Sequence, residues 1–237
     1  MTLARIFIFC GIIAAFATAC ESQVAQPLNL YSNYAPIAVG DTTYYQIDST
    51  SYDDFDGSVR TFTYKLREVV VEYSIDNQLD STYIVYVSKE TIPNSGIYKP
   101  HRTVAINKRR LQYERVENNK RILTLVFPVL EAKNWLGNAR AVYEGNLLND
   151  FATWKFTYKN VHKPRNTNGL AFDSTLLVVQ TDSDVSNPIS KVYSSEYYAK
   201  GVGLIEKTFV AIGKQPNEFA GGIRISQKIV GYVRQRR

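Results

Sequence analysis

The strongest constraint on this chain is a two-residue alternation of apolar and polar side chains that recurs from residue 33 to the end, with no long stretch of apolar residues at helical spacing. Its clearest case is Trp154, Phe156 and Tyr158, interleaved with Thr153, Lys155, Thr157 and Lys159. Successive side chains of a strand point to opposite faces, so this segment is a half-buried strand. Further strands are expected at Thr42 to Ile47, Val59 to Tyr73, Thr82 to Val87, Thr103 to Ile106, Leu111 to Val116, Ile122 to Phe127, Thr175 to Gln180, Lys191 to Tyr198, Leu204 to Ala211 and Ile223 to Val233. All are rich in Val, Ile, Thr, Tyr and Phe.

Turn signals separate these runs at Asp76-Asn77, Pro93-Asn94-Ser95-Gly96, Asn118-Asn119, Asn166-Thr167-Asn168-Gly169 and Ala220-Gly221-Gly222. The spacing favours an antiparallel meander, because parallel strands need longer crossovers. One short helix is expected around Val129 to Trp135. In the longest run the apolar residues change parity: Phe62, Tyr64 and Leu66 are even, whereas Val69, Val71 and Tyr73 are odd. Either a bulge near Arg67 and Glu68 resets the register, or the strand passes between two cores. The expected fold is therefore all-β and mainly antiparallel: a single curved sheet, half-barrel or open barrel with little helix.

The first segment carries Arg5 and then an uncharged run from Ile6 to Cys20, too short for a bilayer span of about 20 apolar residues. A positive charge, an apolar centre and the small residues Ala17, Thr18 and Ala19 before Cys20 form a secretory signal. This stretch resembles a bacterial lipoprotein signal, which implies that Cys20 is acylated and becomes the first mature residue. One acyl chain gives only marginal membrane binding, so permanent anchoring needs two or three. The expected organisation is signal peptide 1–19, tether 20–32 and β-rich domain 33–237. Cys10 leaves with the signal, so no internal disulfide can form and stability must come from the core.

Several stretches resemble a group of Bacteroidetes envelope lipoproteins: Tyr34 to Gly40 followed by Tyr44 to Thr50, Phe127-Pro128 with Trp135, Gly137 and Asn138, and Tyr197 to Lys207 after Ala171 to Thr175. The resemblance implies an envelope lipoprotein with a β-rich domain similar to the open half-barrel of periplasmic lipoprotein carriers and receptors. It implies no activity.

The common zinc, serine-hydrolase and nucleotide motifs are missing from the chain. No cofactor or metal is expected, and the protein is expected not to be an enzyme. A hydrolase with an unfamiliar site would have to be built around His101 or His162, the only histidines. Asp53, Asp54, Asp56 and Gly57 resemble a calcium loop, but Tyr52 and Thr63 fill the positions where ligands are needed, which favours a solvated hairpin tip. Asp-Ser-Thr at 48–50, 80–82 and 173–175, with Asp41-Thr42-Thr43, resembles an exported-protein O-glycosylation sequon, making Thr42, Ser49, Ser81 and Ser174 candidate acceptors. Turn and strand-start chemistry explains the same triplets equally well.

Gly201 and Gly203 mark a kink or a close approach. Basic groups at Lys108, Arg109, Arg110, Lys163, Arg165, Arg234, Arg236 and Arg237 face anionic lipid or solvent outside the cytoplasm, not nucleic acid. The tyrosines, with Trp135 and Trp154, are core packing or the lining of an acyl or sugar site. The expected partners are the membrane, through Cys20, and an envelope lipid or protein. The expected role is a non-enzymatic binding or assembly module on the periplasmic face of the outer membrane, with a lipid carrier as the alternative.

Overall fold

The computed structural model describes residues 28–75, 80–141, 151–183, 190–213 and 220–235. Its strands, in chain order, are β1 (Thr42–Tyr52), β2 (Val59–Ile75), β3 (Ser81–Glu90), β4 (Tyr98–Lys108), β5 (Gln112–Glu117), β6 (Lys120–Val126), β7 (Asn134–Leu136), β8 (Lys155–Thr167), β9 (Leu170–Asp182), β10 (Ser190–Ala199), β11 (Gly203–Gly213) and β12 (Gly221–Val233). They form one 12-stranded antiparallel sheet in the order β6-β5-β4-β3-β2-β1-β12-β11-β10-β9-β8-β7. Apart from β6 and β7, strands consecutive in sequence are therefore hydrogen-bonded neighbours, and β12 returns to pair with β1 from Thr42↔Val233 to Tyr52↔Gly222.

The sheet curls until its two outermost strands, β6 and β7, nearly close a barrel. Leu123 N donates to the Gly137 carbonyl at 2.9 Å. The Trp135 indole N–H donates to the Leu123 carbonyl at 2.7 Å. The Tyr158 hydroxyl donates to the Val126 carbonyl at 2.8 Å and accepts from Val126 N at 2.9 Å. Gly137 is dictated by this closure: a Cβ there would stand 2.3 Å from the Phe156 ring.

Barrel closure requires tilted, staggered strands. The stagger is visible in the registers, since β3 covers β2 only from Leu66 to Ile75, and β5 covers β4 only from Ala105 to Lys108. Above Leu66, β2 keeps its pairing with β1 but has no strand on its other side among the described residues.

β2 carries a bulge between Val70 and Glu72 in the pairing with β3, so Leu66 and Val70 keep one face and the switch of parity comes only after Val70. The bulge lies a few residues beyond Arg67 and Glu68, because the pairing with β1 stays regular through Val69 and only the β3 side is free to slip. After it, Tyr73 pairs with Tyr83, their ring centroids 4.9 Å apart. The interior forms two apolar clusters, one around Tyr34, Leu125, Phe156, Tyr158, Leu176 and Val178, the other around Tyr45, Ile47, Leu66, Val87, Ile106 and Ile229. Each such side chain, buried, contributes roughly 1.5–3 kcal/mol.

The helix expected from Val129 to Trp135 does not form. Val129 N bonds the Leu30 carbonyl, Ala132 N the Tyr158 carbonyl, and Tyr158 N the Lys133 carbonyl, so the segment's hydrogen bonds go to the barrel and its end becomes β7. Tertiary pairing overrides a weak local preference here. Among the described residues the helical elements are 3-10 turns at Ser32–Tyr34 and Phe151–Thr153. The Asp76-Asn77 turn lies outside the described residues. Leu30 and Tyr31 already pack on the core, so the chain joins the fold just ahead of Asn33, whose carbonyl accepts from Gly201 N at 2.8 Å.

Candidate binding interior

Cys20 lies outside the described residues, as do Arg236 and Arg237. The four candidate glycosylation residues stand apart. Thr42 and Ser81 open β1 and β3, and Ser49 sits in mid-β1 between Phe62 and Ile225. Ser174, on β9, shares a 2.7 Å hydrogen bond with the Tyr34 hydroxyl.

The histidines are not brought together. His101 is exposed on β4, its pKa lowered by partial burial and by Arg102 and Lys89. His162 sits on β8, with Nδ1 2.7 Å from the Tyr34 hydroxyl and its ring 4.4 Å from that of Tyr31. Tyr34 is fully buried, and burial pushes its hydroxyl pKa up. The tyrosine hydroxyl thus stands between His162 and Ser174, tying the N-terminal segment to β8 and β9. Among the described residues neither histidine pairs with a carboxylate.

The acidic cluster is the β1–β2 hairpin tip. Asp53 accepts from Phe55 N at 2.9 Å and Asp56 from Ser58 N at 2.7 Å, so two carboxylates hold the turn. No group of residues suited to a metal ion is found among the described residues. Gly201 and Gly203 adopt φ of +76° and +93° in the β10–β11 turn, and a Cβ at Gly201 would meet nothing within 4 Å. Backbone conformation requires them, not a close approach.

The basic groups are largely consumed within the fold. Lys108 Nζ donates to the Ala35 carbonyl at 2.7 Å. Arg109 pairs with Asp80 at 2.7 Å, and Arg165 pairs with Glu206 at 2.7 Å while lying over the Tyr197 ring. Arg234 donates to the Val202 carbonyl and, at 3.0 Å, to Thr43 Oγ1. Trp154 belongs to the core, and the half-buried Trp135 packs against it, 4.6 Å from the Tyr158 ring.

Alternation missed the charges inside the barrel. Glu68 stands on the same face of β2 as Leu66 and Val70, and Arg115 faces it from β5 at 2.7 Å. Arg115 also pairs with Glu117 at 3.0 Å, and Glu117 with Arg102 at 2.6 Å. From the opposite wall, Lys207 pairs with the buried Glu196 at 3.1 Å, which accepts the Tyr198 hydroxyl at 2.6 Å. Three cations thus meet three carboxylates and the layer is neutral. Burial works against the charge on Arg115, but Glu68 and Glu117 outweigh it and hold its pKa up. Burial likewise raises Glu117 and Glu196, but Arg115 and Arg102 on the first, and Lys207 on the second, bring both below the usual carboxylate range. Carboxyls depressed in the folded state stabilise it above their unfolded pKa and lose that contribution as pH falls through the folded value. The one available signal was a charge at an inward-parity position of a strand, as at Glu68 between Leu66 and Val70.

Beneath Arg234 a cavity of about 70 Å³ is lined by Ile37, Thr43, Tyr45, Glu68, Tyr113 and Leu204 among others. Burial is the largest influence on the Tyr113 hydroxyl, whose pKa is pushed up to about 12. The cavity has room for ordered water bound to polar walls, whereas organic ligands occupy roughly 300–1,000 Å³.

No family model matches the chain, and no curated protein matches it in sequence. Among solved structures it is similar to a proposed exported protein with a YmcC-like fold from Bacteroides fragilis, with TM-score 0.40, 9% identity, and coverage of 84% of this chain and 98% of that one. It is also similar to a proposed lipoprotein from Parabacteroides distasonis, with TM-score 0.33, 13% identity, and coverage of 88% and 100%. A LolA superfamily protein from Nitrosomonas europaea matches with TM-score 0.22, 10% identity, and coverage of 87% and 92%. These are likenesses in the course of the chain and carry no reading of activity.

Proposed function

We propose that this protein is a non-enzymatic binding module of the cell envelope, anchored through acylated Cys20 on the periplasmic face of the outer membrane and acting by protein contact. The observation that carries this reading is the charged layer that the described residues place inside the barrel. The space a lipid carrier would keep open holds the layer of Glu68, Arg115, Glu117, Lys207 and Glu196, and the cavity beside it measures about 70 Å³. An acyl chain placed there would strip water from charges without replacing their partners. The Tyr34 link between His162 and Ser174 supports a binding role over a hydrolase, since the serine has a tyrosine, not a base, as its partner.

Native mass spectrometry of the protein extracted from its own host tests this reading. The expected spectrum shows the covalent acyl mass on Cys20 and no further adduct. A reproducible noncovalent adduct of acyl-chain mass replaces the reading with the carrier. Loss of membrane attachment in Cys20→Ser checks the anchor.

A further inference from the structure

We propose that the bare edge of β2, from Val59 to Lys65, is the seat of a second copy of this chain, the two β2 strands pairing antiparallel about a twofold axis at Phe62. On this edge β2 has β1 on one side and no strand on the other among the described residues. Val59, Arg60, Thr61, Phe62 and Thr63 are exposed one after another, with Val59 at 60% and Phe62 at 58%. A run of unpaired backbone groups flanked by apolar side chains is a template for another strand.

The sequence of the edge is complementary to itself. About a twofold at Phe62, Arg60 of one copy lies opposite Tyr64 of the other, Thr61 opposite Thr63, and Phe62 opposite Phe62. Phe62 against Phe62 is a favourable aromatic pair and Thr61 against Thr63 a threonine pair, while the Tyr64 ring that Arg60 meets already carries Lys89 Nζ 3.9 Å from its centroid. No like charges lie directly opposite, because Arg60 meets Tyr64 and Lys65 meets Val59. A twofold interface uses one patch twice, so complementarity of the strand with its own reverse is the property it requires.

The flanking loops match in the same register. Val59 and Lys65 are six residues apart, roughly 20 Å along the strand. The β1–β2 tip of one copy, with Asp53, Asp54 and Asp56 around a Phe55 that is 93% exposed, therefore arrives beside the β3–β4 loop of the other. That loop overhangs the end of the edge, since Lys65 Nζ donates to Asn94 Oδ1 at 2.8 Å. It presents Ile92 and Ile97, 63% and 59% exposed, among Lys65, Lys89 and Lys99. Acidic and apolar groups on the tip meet basic and apolar groups on the loop, twice per dimer. The chain's own N-terminal stretch is a poorer occupant, because it enters at the opposite end of the barrel, where Asn33 bonds Gly201.

Cysteine crosslinking of the full chain in its own membranes tests the pairing. Phe62→Cys places two thiols across the twofold, and a reducible dimer should form well above the baseline of the unmodified chain. Phe55→Cys is more exposed but sits far from its symmetry mate, so it should stay at the baseline. Equal or greater crosslinking through position 55, or none through either, overturns the proposal. Sedimentation of the detergent-extracted protein gives a second test. The unmodified chain should be a dimer, Phe62→Lys and Phe62→Glu should each weaken it about tenfold or more, and mixing the two should restore it. A monomeric unmodified chain, a dimer that survives either substitution alone, or a mixture that stays monomeric sinks the idea.

Discussion

Where β6 meets β7, backbone groups left over by the meander find partners in bulky side chains with polar tips: Trp135 on the Leu123 carbonyl and Tyr158 on both polar groups of Val126. Above Lys65, β2 carries no such device, and its apolar side chains stand in solvent. Both margins belong to one sheet, but Leu125 and Phe156 beside the first are fully buried while Phe62 on the second is 58% exposed. The difference teaches that closure here is a local achievement of a few side chains and one glycine, not a general property of the alternating pattern. Any edge that lacks them stays open to another strand.

The sharpest way to break the closed margin is Gly137→Ala. The new Cβ would lie 2.3–2.6 Å from three ring carbons of Phe156, a fully buried ring. Overpacking of this kind costs about 3 kcal/mol, read as a lowered midpoint in urea. Gly231→Ala is the control: its Cβ would meet only Tyr44 Cδ2 at 3.9 Å, and the midpoint should move by less than about 0.5 kcal/mol. Equal losses at both glycines would show that the closure imposes no special constraint.

Tyr158→Phe is the next largest. It removes one hydroxyl and leaves the amide and carbonyl of Val126 without their partner at a buried position, a loss of about 2 kcal/mol. Amide hydrogen exchange at Val126 should rise more than exchange at residues paired within β1 and β12. Uniform loss of protection would mean that the margin opens only with the whole barrel.

How much of this was legible in the sequence follows from which forces act locally. The strands were, because alternation is a property of neighbouring residues, and the change from Phe62, Tyr64 and Leu66 to Val69, Val71 and Tyr73 signalled a break in β2, although the bulge itself follows Val70 and leaves Val69 on the other face from Leu66. The segment from Val129 to Trp135 was not, because its hydrogen-bond partners, Leu30 and Tyr158, lie far away in sequence. Nor was the charged layer, since parity put Glu68 inward without naming a partner, and only the fold places Arg115 against it. The bare edge depends on stagger, the offset between β2 and β3, and stagger is set by pairing across the sheet. For the candidate interior the sequence supplied His162 and Ser174 but not Tyr34 as the link between them, because Tyr34 lies in the opening segment and meets them only after the meander has closed.

The smallest expected effect is also the one that separates the two margins most cleanly. Phe62→Lys lies on an exposed stretch of β2, so at concentrations where the chain is monomeric its melting temperature should match that of the unmodified protein, a difference within about 0.5 kcal/mol. A copy that binds only the folded chain adds stability by mass action. The melting temperature of the unmodified protein should therefore climb as concentration rises, while that of Phe62→Lys stays level. The substitutions at Gly137 and Tyr158 act within one chain, so they should lower the whole melting curve without changing that slope. A concentration dependence that persists in Phe62→Lys would mean that the exposed stretch of β2 is not where two copies meet.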